Sequence, residues 1–584
     1  MGVAESASRV PSLLKDLLEC VHLTEAQPSN PGSCLRNIVI EQKVIQEFRP
    51  LAESLEWELA RLYWCQNGID GFARNEVPYI INNDGQASAD AAATFYAYCQ
   101  ESIDLPQVLK ILELGAGTGL FARYFLDTFA DICRKENVDF YDRLLYYVTD
   151  GARRTVEQWE EQEIFAPHVG HYVLAVADAI LPSQLQPLDS RISQTLGGMQ
   201  AIFCNYLLDV MPASIVRVGP AGPEQLVVRT CLLDDPDVVA QYTQLSLDEI
   251  RSLAESGDIN ERKKLLPLLP VLDLETRFDV LPKCSLYFLD EALAWGKDLE
   301  RILLSHGALS TLNACLELLD PDGFLILNDY GLVRREDVAA HAVLQRFGGS
   351  AAHGINFPLL EHYGHCRSVH VITPLEDEQK PIHTRMVTRR CFPGVLDTFM
   401  NRFSNTTAQY RQKPREEARI HAAAGRRNEA LDAYRSALAI DPHNWCLLGE
   451  VAEFVALQLR DFRAGLELAR TAILRNAWYS GWLWNIVGDC LFCLERFEDA
   501  YQAYLQAEKI DPADPRTHLN LAYSHVQQGE FSAALQAIAR GLAADARGQY
   551  RERLFEKQQQ ILLLISTRWL GEQERLARRV ARFQ

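Results

Sequence analysis

The stretch Val108–Leu120, V-L-K-I-L-E-L-G-A-G-T-G-L, decides the fold of this chain. The apolar run at its start predicts a buried parallel strand. The run ends on three glycines at alternate positions, Gly115, Gly117 and Gly119, and a helical pattern then continues to Ile132. Glycine allows positive φ and close approach of a ligand, and the helix N-terminus offers free N–H groups to an anion. Strand, turn and helix together predict a cradle for a nucleotide-type cofactor.

Strands and helices alternate after this cradle. The predicted helix Arg153–Ile164 follows the second strand, and the predicted strands are Leu144–Thr149, Tyr172–Ala177, Ala201–Asn205, Gly323–Asn328 and, as the last one, Val369–Ile372. Alternation of this kind is typical of a mostly parallel sheet with helices on both faces. The fold class predicted here is therefore an α/β Rossmann-like domain.

Two acidic residues end successive strands of this sheet, Asp150 after the second and Asp178 after the third. A carboxylate at the first position can accept two hydrogen bonds from the vicinal hydroxyls of a ribose. The second could accept a hydrogen bond from an adenine amino group. The alternative for each acid is an N-cap of the helix that follows. Their recurrence after a glycine loop favours the cofactor role.

The glycine pattern E-x-G-x-G-x-G at residues 113–119 resembles motif I of the class I S-adenosylmethionine (SAM) methyltransferases and differs from the dinucleotide pattern G-x-G-x-x-G. The resemblance implies SAM as cofactor, with the loop around its methionine moiety and Glu113 near the amino group. The cofactor-binding residues that it implies are Glu113, Gly115, Ala116, Gly117, Gly119, Asp150, Asp178, Ala179 and Asn205.

A narrower resemblance begins at the fourth strand. The motif N-x-L-L-D-x-x-P, Asn205–Pro212, and the later Asp329-Tyr-Gly331 are similar to sequences of the MidA-like methyltransferases, which include the mitochondrial complex I assembly methyltransferase. This resemblance implies methylation of a protein arginine. The family glutamate is replaced here by Tyr206. An arginine methyltransferase needs a carboxylate to hold the guanidinium, and Asp209 or Asp329 could supply it. The predicted catalytic residues, all on the acceptor side, are Tyr206, Asp209 and Asp329.

Three regions are predicted along the chain. Residues 1–105 read as a mostly helical extension that includes a helix over Ile38–Cys65. The extended piece Pro78–Gly85 could lid the cofactor pocket, with Tyr79, Asn82 or Asn83 reaching in, and the alternative is a purely structural extension. The methyltransferase domain is predicted at 106–375, ending before the charged run Leu375–Pro381. A long insertion at about 219–306 should form the substrate cap, because insertions at strand C-termini overhang the ligand crevice.

The C-terminal third, 385–584, reads as a repeat array. Four alanines recur at intervals of 34, 36 and 34 residues: Ala430, Ala464, Ala500 and Ala534. The clearest unit carries Trp484, Gly488, Ala500, Tyr504, Ala507 and Pro512, which is the tetratricopeptide repeat pattern of a two-helix hairpin. The tail from about Gln549 is predicted to cap the array as a helix. Such arrays bind proteins, so a protein or peptide partner is expected.

Composition narrows the partners. The net charge of −20 argues against nucleic-acid binding. The sequence has no run of 18 apolar residues and no secretory signal, and its cysteines are scattered, so a cytoplasmic location without membrane contact is expected. No metal site is predicted, because His362, His365 and Cys366 lack a second ligand pair at zinc spacing.

Three functions are weighed. The first is a SAM-dependent methyltransferase that modifies a nitrogen of a protein or peptide recruited by the repeats. The second is a small-molecule methyltransferase whose repeats dimerise the enzyme or dock a partner, so a homodimer is left open. The third is a scaffold without activity, against which the intact glycine motif argues.

Overall fold

The computed structural model describes residues 43–73, 84–189, 196–233, 235–281, 286–340, 344–347 and 349–580. Contacts within these residues divide the chain into two compact units, one ending at Tyr410 and the other beginning at Arg411. The predicted lid residues Tyr79, Asn82 and Asn83 lie outside the described residues. No helix of the described part is long and apolar enough to cross a membrane.

Strands belong to the first unit. In chain order they are β1 (Lys43–Pro50), β2 (Leu109–Leu114), β3 (Leu144–Asp150), β4 (Tyr172–Val176), β5 (Gln186–Pro187), β6 (Met199–Asn205), β7 (Ser214–Gly219), β8 (Gly222–Leu232), β9 (Leu272–Val280), β10 (Ile302–Leu304), β11 (Leu319–Asp329), β12 (Gly331–Leu332), β13 (Gln345–Phe347), β14 (Ser350–Ala352), β15 (Ile355–Asn356), β16 (His370–Ile372) and β17 (His383–Thr388).

The helices of the first unit lie between these strands or follow the last of them. They are Leu55–Asn67, Asp70–Ala73, Gln86–Glu101, Leu120–Glu136, Arg153–Glu161, Pro236–Val239, Leu247–Ala254, Ile259–Lys263, Leu289–Trp295, His306–Leu318, Phe357–Cys366 and Pro393–Arg402, with Asn405–Ala423 crossing the boundary. Short 3-10 helices span Leu51–Glu53, Ala166–His168, Leu208–Val210, Leu266–Val271, Arg335–Ala340 and Asp377–Gln379.

The central sheet has the strand order β16-β17-β11-β6-β2-β3-β4-β5. The strands β11, β6, β2, β3 and β4 run parallel, and β17 pairs antiparallel with β11. The buried faces of β2 and β6 explain their continuous apolar runs, because helices cover both sides of a parallel sheet. The predicted α/β Rossmann-like fold is confirmed, and its strand C-termini meet at one edge.

The sheet extends beyond the predicted end of the methyltransferase region. The sequence places the last strand at Val369–Ile372, which is β16, and a boundary at the charged run that follows. The structure adds β17, paired with β11 from Phe324↔Thr388 to Asp329↔His383. Asp377, from the charged run itself, is buried and accepts a hydrogen bond from the N–H of Thr384 at 3.1 Å. Within the charged run, a buried ion pair between Asp377 and Arg385 therefore holds the edge of the sheet.

A second sheet combines the N-terminal region with the insertion. Its order is β1-β8-β7-β10, with β9 on the other side of β8. β7 and β8 form a tight hairpin at Gly219↔Gly222, and β1 pairs with the second half of β8. The helix predicted over Ile38–Cys65 is therefore wrong at Lys43–Pro50, which is the strand β1, and the observed helix begins at Leu55. The partner of β1 lies about 180 residues away along the chain, so local periodicity could not show it.

One apolar cluster joins the N-terminal helix to the insertion. Its buried members are Ile45, Leu55, Leu59, Leu62, Leu232, Ile250, Ala254, Leu265, Leu268, Leu269, Val271 and Leu272. The insertion therefore packs against the helix Leu55–Asn67, and this helix acquires a fixed position that its sequence alone would not give it.

The second unit is an array of helix pairs. Its helices after Asn405–Ala423 are Arg427–Ile440, Trp445–Leu457, Phe462–Arg475, Gly481–Cys493, Phe497–Ile510, Pro515–Gln528, Phe531–Ala544 and Arg551–Val580. The predicted helical repeat fold is confirmed. Ala430, Ala500 and Ala534 are fully buried at the fourth position of second helices, but in the second pair that position is Gly465 and not Ala464. A Cβ at Gly465 would lie 2.8 Å from the Cβ of Ala456, so the close helix contact explains the glycine.

Candidate active site

A cavity of about 1010 Å³ opens at the C-terminal edge of the central sheet. Its wall includes Gly115 and Gly117 of the loop after β2, Asp150 and Asp178 after β3 and β4, and Tyr206 and Asp209 after β6. Pockets that bind small molecules usually measure about 300–1,000 Å³, so this cavity is large enough for a nucleotide-type cofactor and a further group. It lies where ligands bind in open α/β sheets.

The glycine loop forms one side of the cavity and requires its glycines. Gly115, Gly117 and Gly119 have φ of 65°, 53° and 74°, which is the left-handed region. A Cβ on Gly115 would lie 2.9 Å from Cδ1 of Leu207, and one on Gly117 would lie 3.1 Å from the ring of Phe72. The backbone of this loop therefore carries no side chain at its glycines, which allows a ligand to approach it closely.

Asp150 is fixed beside this loop. Its Oδ2 accepts a hydrogen bond from the N–H of Gly117 at 3.0 Å, and its Oδ1 accepts one from the N–H of Ala152 at 2.8 Å. Burial raises the pKa of Asp150, and the two N–H donors oppose that shift. A carboxylate oxygen has a second lone pair, so each oxygen can still accept from a ligand hydroxyl. These residues fit the ribose of an adenosyl cofactor.

Asp178 is placed differently from Asp150, although both end a strand at the same edge. Asp178 is exposed, and its Oδ1 accepts a hydrogen bond from the N–H of Ile180 at 2.9 Å. The turn after β4 therefore uses one of its oxygens. The residue still lies on the cavity wall together with Ala179.

Glu113 lies beneath the loop. It is 1% exposed, accepts a hydrogen bond from Tyr146 Oη at 3.1 Å, and lies 3.4 Å from Nδ2 of Asn205. Asn328 and Thr384 continue this buried chain across β6, β11 and β17. Burial raises the pKa of Glu113 to about 8, against the effect of the two donors. The predicted contact of Glu113 with a cofactor amino group stays a prediction.

Asp209, on the cavity wall after β6, pairs with Asp329, which ends β11 behind the wall. The N–H groups of Leu208 and Asp209 donate to Oδ2 of Asp329 at 2.8 and 3.2 Å. Burial raises the pKa of Asp209 to about 6, and burial together with Asp209 raises the pKa of Asp329 well above its usual value. The negative charge of Asp209 opposes ionisation of Asp329, so the pair retains one proton to a higher pH than two separate carboxyl groups would.

Tyr206 stands next to this pair in a strained conformation. Its φ is 52°, which is rare for a bulky side chain, and its N–H donates to the carbonyl of Asn328 at 2.9 Å. Its ring lies 5.4 Å from that of Tyr330, centroid to centroid. Strain of this kind clusters at functional sites, where the surrounding structure maintains it.

Part of the cavity wall was not predicted from the sequence. Trp57, Ala60, Arg61, Trp64 and Cys65 from the helix Leu55–Asn67, Phe72, and Ser350–Ala352 line it. The spacing of Trp57 and Trp64, seven residues apart on one helix face, was the available signal. Among the described residues, none of the lining residues comes from the insertion 219–306. The described part of the insertion supports the helix Leu55–Asn67, which lines the cavity.

The predicted site residues therefore fall into two groups. On the cavity wall are Gly115, Gly117, Asp150, Asp178, Ala179, Tyr206 and Asp209. Behind the wall are Glu113, Ala116, Gly119, Asn205 and Asp329. The residues behind the wall position those on it. Gly119 precedes the helix Leu120–Glu136, and Asp329 orients the segment after β6.

Comparisons with known proteins agree with this geometry. Residues 92–368 match the model of the family described as "Putative S-adenosyl-L-methionine-dependent methyltransferase", and residues 488–529 match a TPR repeat model. No curated protein matches the chain at a significant level.

Solved structures of low identity were also found. A Burkholderia thailandensis protein bound to S-adenosyl-homocysteine is 13% identical, with 60% of this chain and 90% of that chain covered and a TM-score of 0.38. An uncharacterized protein of the same organism is 14% identical with the same coverage and a TM-score of 0.37. A TPR protein of Thermus thermophilus is 20% identical, with 26% of this chain and 82% of that chain covered and a TM-score of 0.24.

The class of protein follows from the family match and the site. The chain is a methyltransferase that uses SAM as its methyl donor, and it carries a TPR region after the catalytic unit.

Proposed function

We propose that the enzyme methylates a nitrogen of a protein or peptide, with the arginine side chain as the first candidate, and that the repeats recruit this substrate. The observation that carries the proposal is that the glycine loop, Tyr206 and Asp209 all line one cavity. A donor held at the loop and an acceptor held at the carboxylate would meet inside it.

The residues around the donor side have separate tasks. When bound, SAM supplies an electrophilic methyl group on a sulfonium. Asp150 would hold the ribose hydroxyls, and the bare backbone at Gly115 and Gly117 would admit the methionine part of the cofactor. Alignment and exclusion of water then supply most of the acceleration.

The residues that would contact the methyl acceptor favour a basic nitrogen. Asp209 is a carboxylate on the wall, and Trp57, Trp64, Tyr206 and Tyr330 place aromatic rings around the same space. A guanidinium binds carboxylates and aromatic faces well. The likeness to MidA-like enzymes adds to this proposal through Asn205–Pro212, with Asp209 taking the role of the family glutamate that Tyr206 replaces.

The repeats are proposed to recruit the protein substrate. TPR arrays bind proteins through the inner helices of their hairpins. The first helices Trp445–Leu457, Gly481–Cys493 and Pro515–Gln528 are the candidates. A reducing, cytoplasmic setting is part of the proposal, and the described cysteines, all free thiols, support it.

The test uses the full chain, methyl-labelled SAM and a peptide array that presents arginine, lysine, histidine, glutamine and free N-termini in varied contexts. Label on a nitrogen of one residue type is expected, and arginine is expected first. Label on carboxylates or thiols only would contradict the proposal.

Recruitment is tested separately by hydrogen exchange on the full chain with the best acceptor. Protection of amides in the three inner helices is expected. Protection confined to residues before Tyr410 would show that the repeats do not contact this substrate.

A small-molecule acceptor is the second candidate. The size of the cavity favours it, because about 1010 Å³ can enclose SAM and a second small molecule together. Screening small amines and phenols beside the peptide array separates the two candidates: turnover of a small molecule with no labelled peptide selects the second.

A further inference from the structure

The carboxylate of Asp209 has an unusual position. The residue lines the cavity but is only 5% exposed, and its Oδ1 has no hydrogen-bond partner among the described residues. A buried carboxylate oxygen without a donor is costly, at about 1–3 kcal/mol. Such an oxygen needs a donor, which a proton on the neighbouring acid or a ligand in the cavity can supply.

Asp329 explains how this carboxylate is kept in place. It is fully buried and accepts the N–H groups of Leu208 and Asp209 on one oxygen, while the N–H of Tyr330 reaches the other at 2.9 Å. These contacts hold the turn that carries Asp209. Because burial and the negative charge of Asp209 both oppose ionisation of Asp329, Asp329 is the member of the pair that keeps its proton to higher pH and can donate it.

We infer that Asp209 is the catalytic base of the acceptor site and that Asp329 is its positioning residue, a neutral acid that donates a hydrogen bond to Asp209. The inference rests on the proposed function and adds a class of acceptor to it. The acceptor is an N–H nucleophile that enters the site with its hydrogen still attached and directs that hydrogen at Asp209.

Methyl transfer from SAM to the acceptor nitrogen conserves atoms and charge. The nitrogen lone pair forms the new N–CH₃ bond, and the electrons of the broken C–S bond remain on sulfur, which leaves S-adenosyl-homocysteine. The N–H proton passes to Asp209, so the pair then holds two protons. The extra proton returns to solvent after the product leaves.

The pH dependence follows from the same pair. Burial raises the pKa of Asp209 to about 6, so its base form is present above that pH and methyl transfer should rise with pH through about 6. The other titratable residues next to the pair in the described part of the chain are Tyr206, Tyr330, Cys204 and His353. The backbone N–H of His353 donates to the backbone carbonyl of Asp209 at 3.1 Å. Burial raises the pKa of Tyr330, so it remains neutral in this range.

The test compares Asp209→Asn, Asp329→Asn and Asp329→Ala in the full chain. The control is Asp142→Asn, an exposed aspartate just before β3, at the opposite edge of the sheet. Four measurements are made: thermal unfolding, S-adenosyl-homocysteine affinity by calorimetry, the infrared band of protonated carboxyl groups in D₂O at about pH 7, and label transfer to the best peptide of the array against pH.

All variants should fold and bind S-adenosyl-homocysteine within about threefold of the wild type. Asp209→Asn and Asp329→Ala should lose about 10²–10⁴-fold in label transfer, which is the range of a general base. Asp329→Asn should keep at least about a tenth, because its neutral amide can still donate to Asp209. The infrared difference between the wild type and each Asp329 variant should contain a protonated-carboxyl band that both variants lack. The band of protonated Glu113 and of other protonated carboxyl groups is the same in all proteins and cancels in this difference.

Two results overturn the inference. Equal loss in Asp329→Asn and Asp329→Ala would show that the ionised form of Asp329 is needed, and an unchanged pH profile in Asp209→Asn would show that Asp209 is not the base. Failure of the proposed function is a different result: wild-type protein would label no peptide nitrogen, and the infrared band would still report the shared proton.

Discussion

Carboxylates are buried both around the cavity and in the repeat array, but the two regions treat them in opposite ways. Around the cavity, burial raises the pKa of Glu113 to about 8 and that of Asp209 to about 6. In the repeats, burial alone would raise the pKa of Glu450, but Arg415 and Arg419 outweigh it and lower that pKa. Glu453 and Asp489 are likewise paired with Arg516, at 3.0 and 2.8 Å.

The difference separates acids that stabilise the structure from acids that are available for chemistry. An acid paired with arginine is a fixed charge that links helices, and its removal mainly changes stability. An acid whose pKa is raised by burial, at the edge of a cavity, can gain or lose a proton near neutral pH.

Replacing Arg516 with alanine should have the largest effect on stability. Arg516 joins Glu453 on one inner helix to Asp489 on the next, and Asp489 also accepts from Tyr504 and Asn520. The variant leaves two partly buried carboxylates without their cation, at a cost of about 3–5 kcal/mol. Hydrogen exchange of the inner-helix amides in the full chain measures it.

The matched control for this variant is Arg496→Ala. Arg496 forms an exposed ion pair with Asp499, and such pairs contribute about 0–1 kcal/mol. The affinity for S-adenosyl-homocysteine should be unchanged in both variants. Similar losses of protection in the two variants would contradict the structural role of Arg516.

Replacing Glu113 with glutamine should remove a pH-dependent penalty. The folded-state pKa of Glu113 is about 8 and the unfolded value is about 4.3, so the folded chain binds the extra proton and loses stability as pH rises between these values. Glutamine stays neutral, so the unfolding free energy of the variant relative to the wild type should increase by about 1.4 kcal/mol for each unit of pH within this range. Chemical denaturation at several pH values measures it.

Glu450→Gln is the control with the opposite sign. The pKa of Glu450 is lowered, so its stabilising charge is present above the unfolded pKa and is lost as pH falls through the folded one. This variant should be less stable than the wild type at neutral pH and should approach it on acidification. The same sign in both variants would contradict the comparison between cavity and repeats.

The sequence predicts the part of the site that is built from neighbouring residues. Gly115, Gly117 and Asp150 follow strands directly, so a strand–turn–helix pattern is enough to place them together. The helix Leu55–Asn67 could not be placed in this way, because its position depends on contacts with residues of the insertion such as Leu268 and Leu272. For the same reason β1, whose partner is β8, was predicted as helix.

The repeats show a similar limit at smaller scale. The alanine period predicts the helix pairs, since each pair contacts mainly its neighbours. It misses the register of the second pair by one residue, because Gly465 replaces alanine at the contact with Ala456. A period finds the repeat, but only packing identifies which small residue occupies the contact.

Replacing Gly115 with alanine should weaken cofactor binding. The left-handed φ of 65° costs a non-glycine residue about 1–2 kcal/mol, and the new Cβ would lie 2.9 Å from Leu207 on the cavity wall. The affinity for S-adenosyl-homocysteine should fall about tenfold or more, measured by calorimetry. Gly198→Ala is the control: its φ is 62°, and nothing lies within 4 Å of its Cβ, so it should lose stability but keep affinity.

Replacing Asp178 with asparagine should have the smallest effect. Asp178 is exposed, and one of its oxygens already accepts a hydrogen bond from the N–H of Ile180. Water can therefore replace the hydrogen bond that Asp178 would accept from an adenine amino group. The affinity for S-adenosyl-homocysteine should fall by no more than about threefold, or under about 0.7 kcal/mol. Asp150→Asn should lose more, because both oxygens of Asp150 are fixed by backbone N–H groups and face the cavity from a half-buried position. A larger loss at Asp178 than at Asp150 would mean that exposure, and not the fixing of the carboxylate, decides which strand-end acid binds the cofactor.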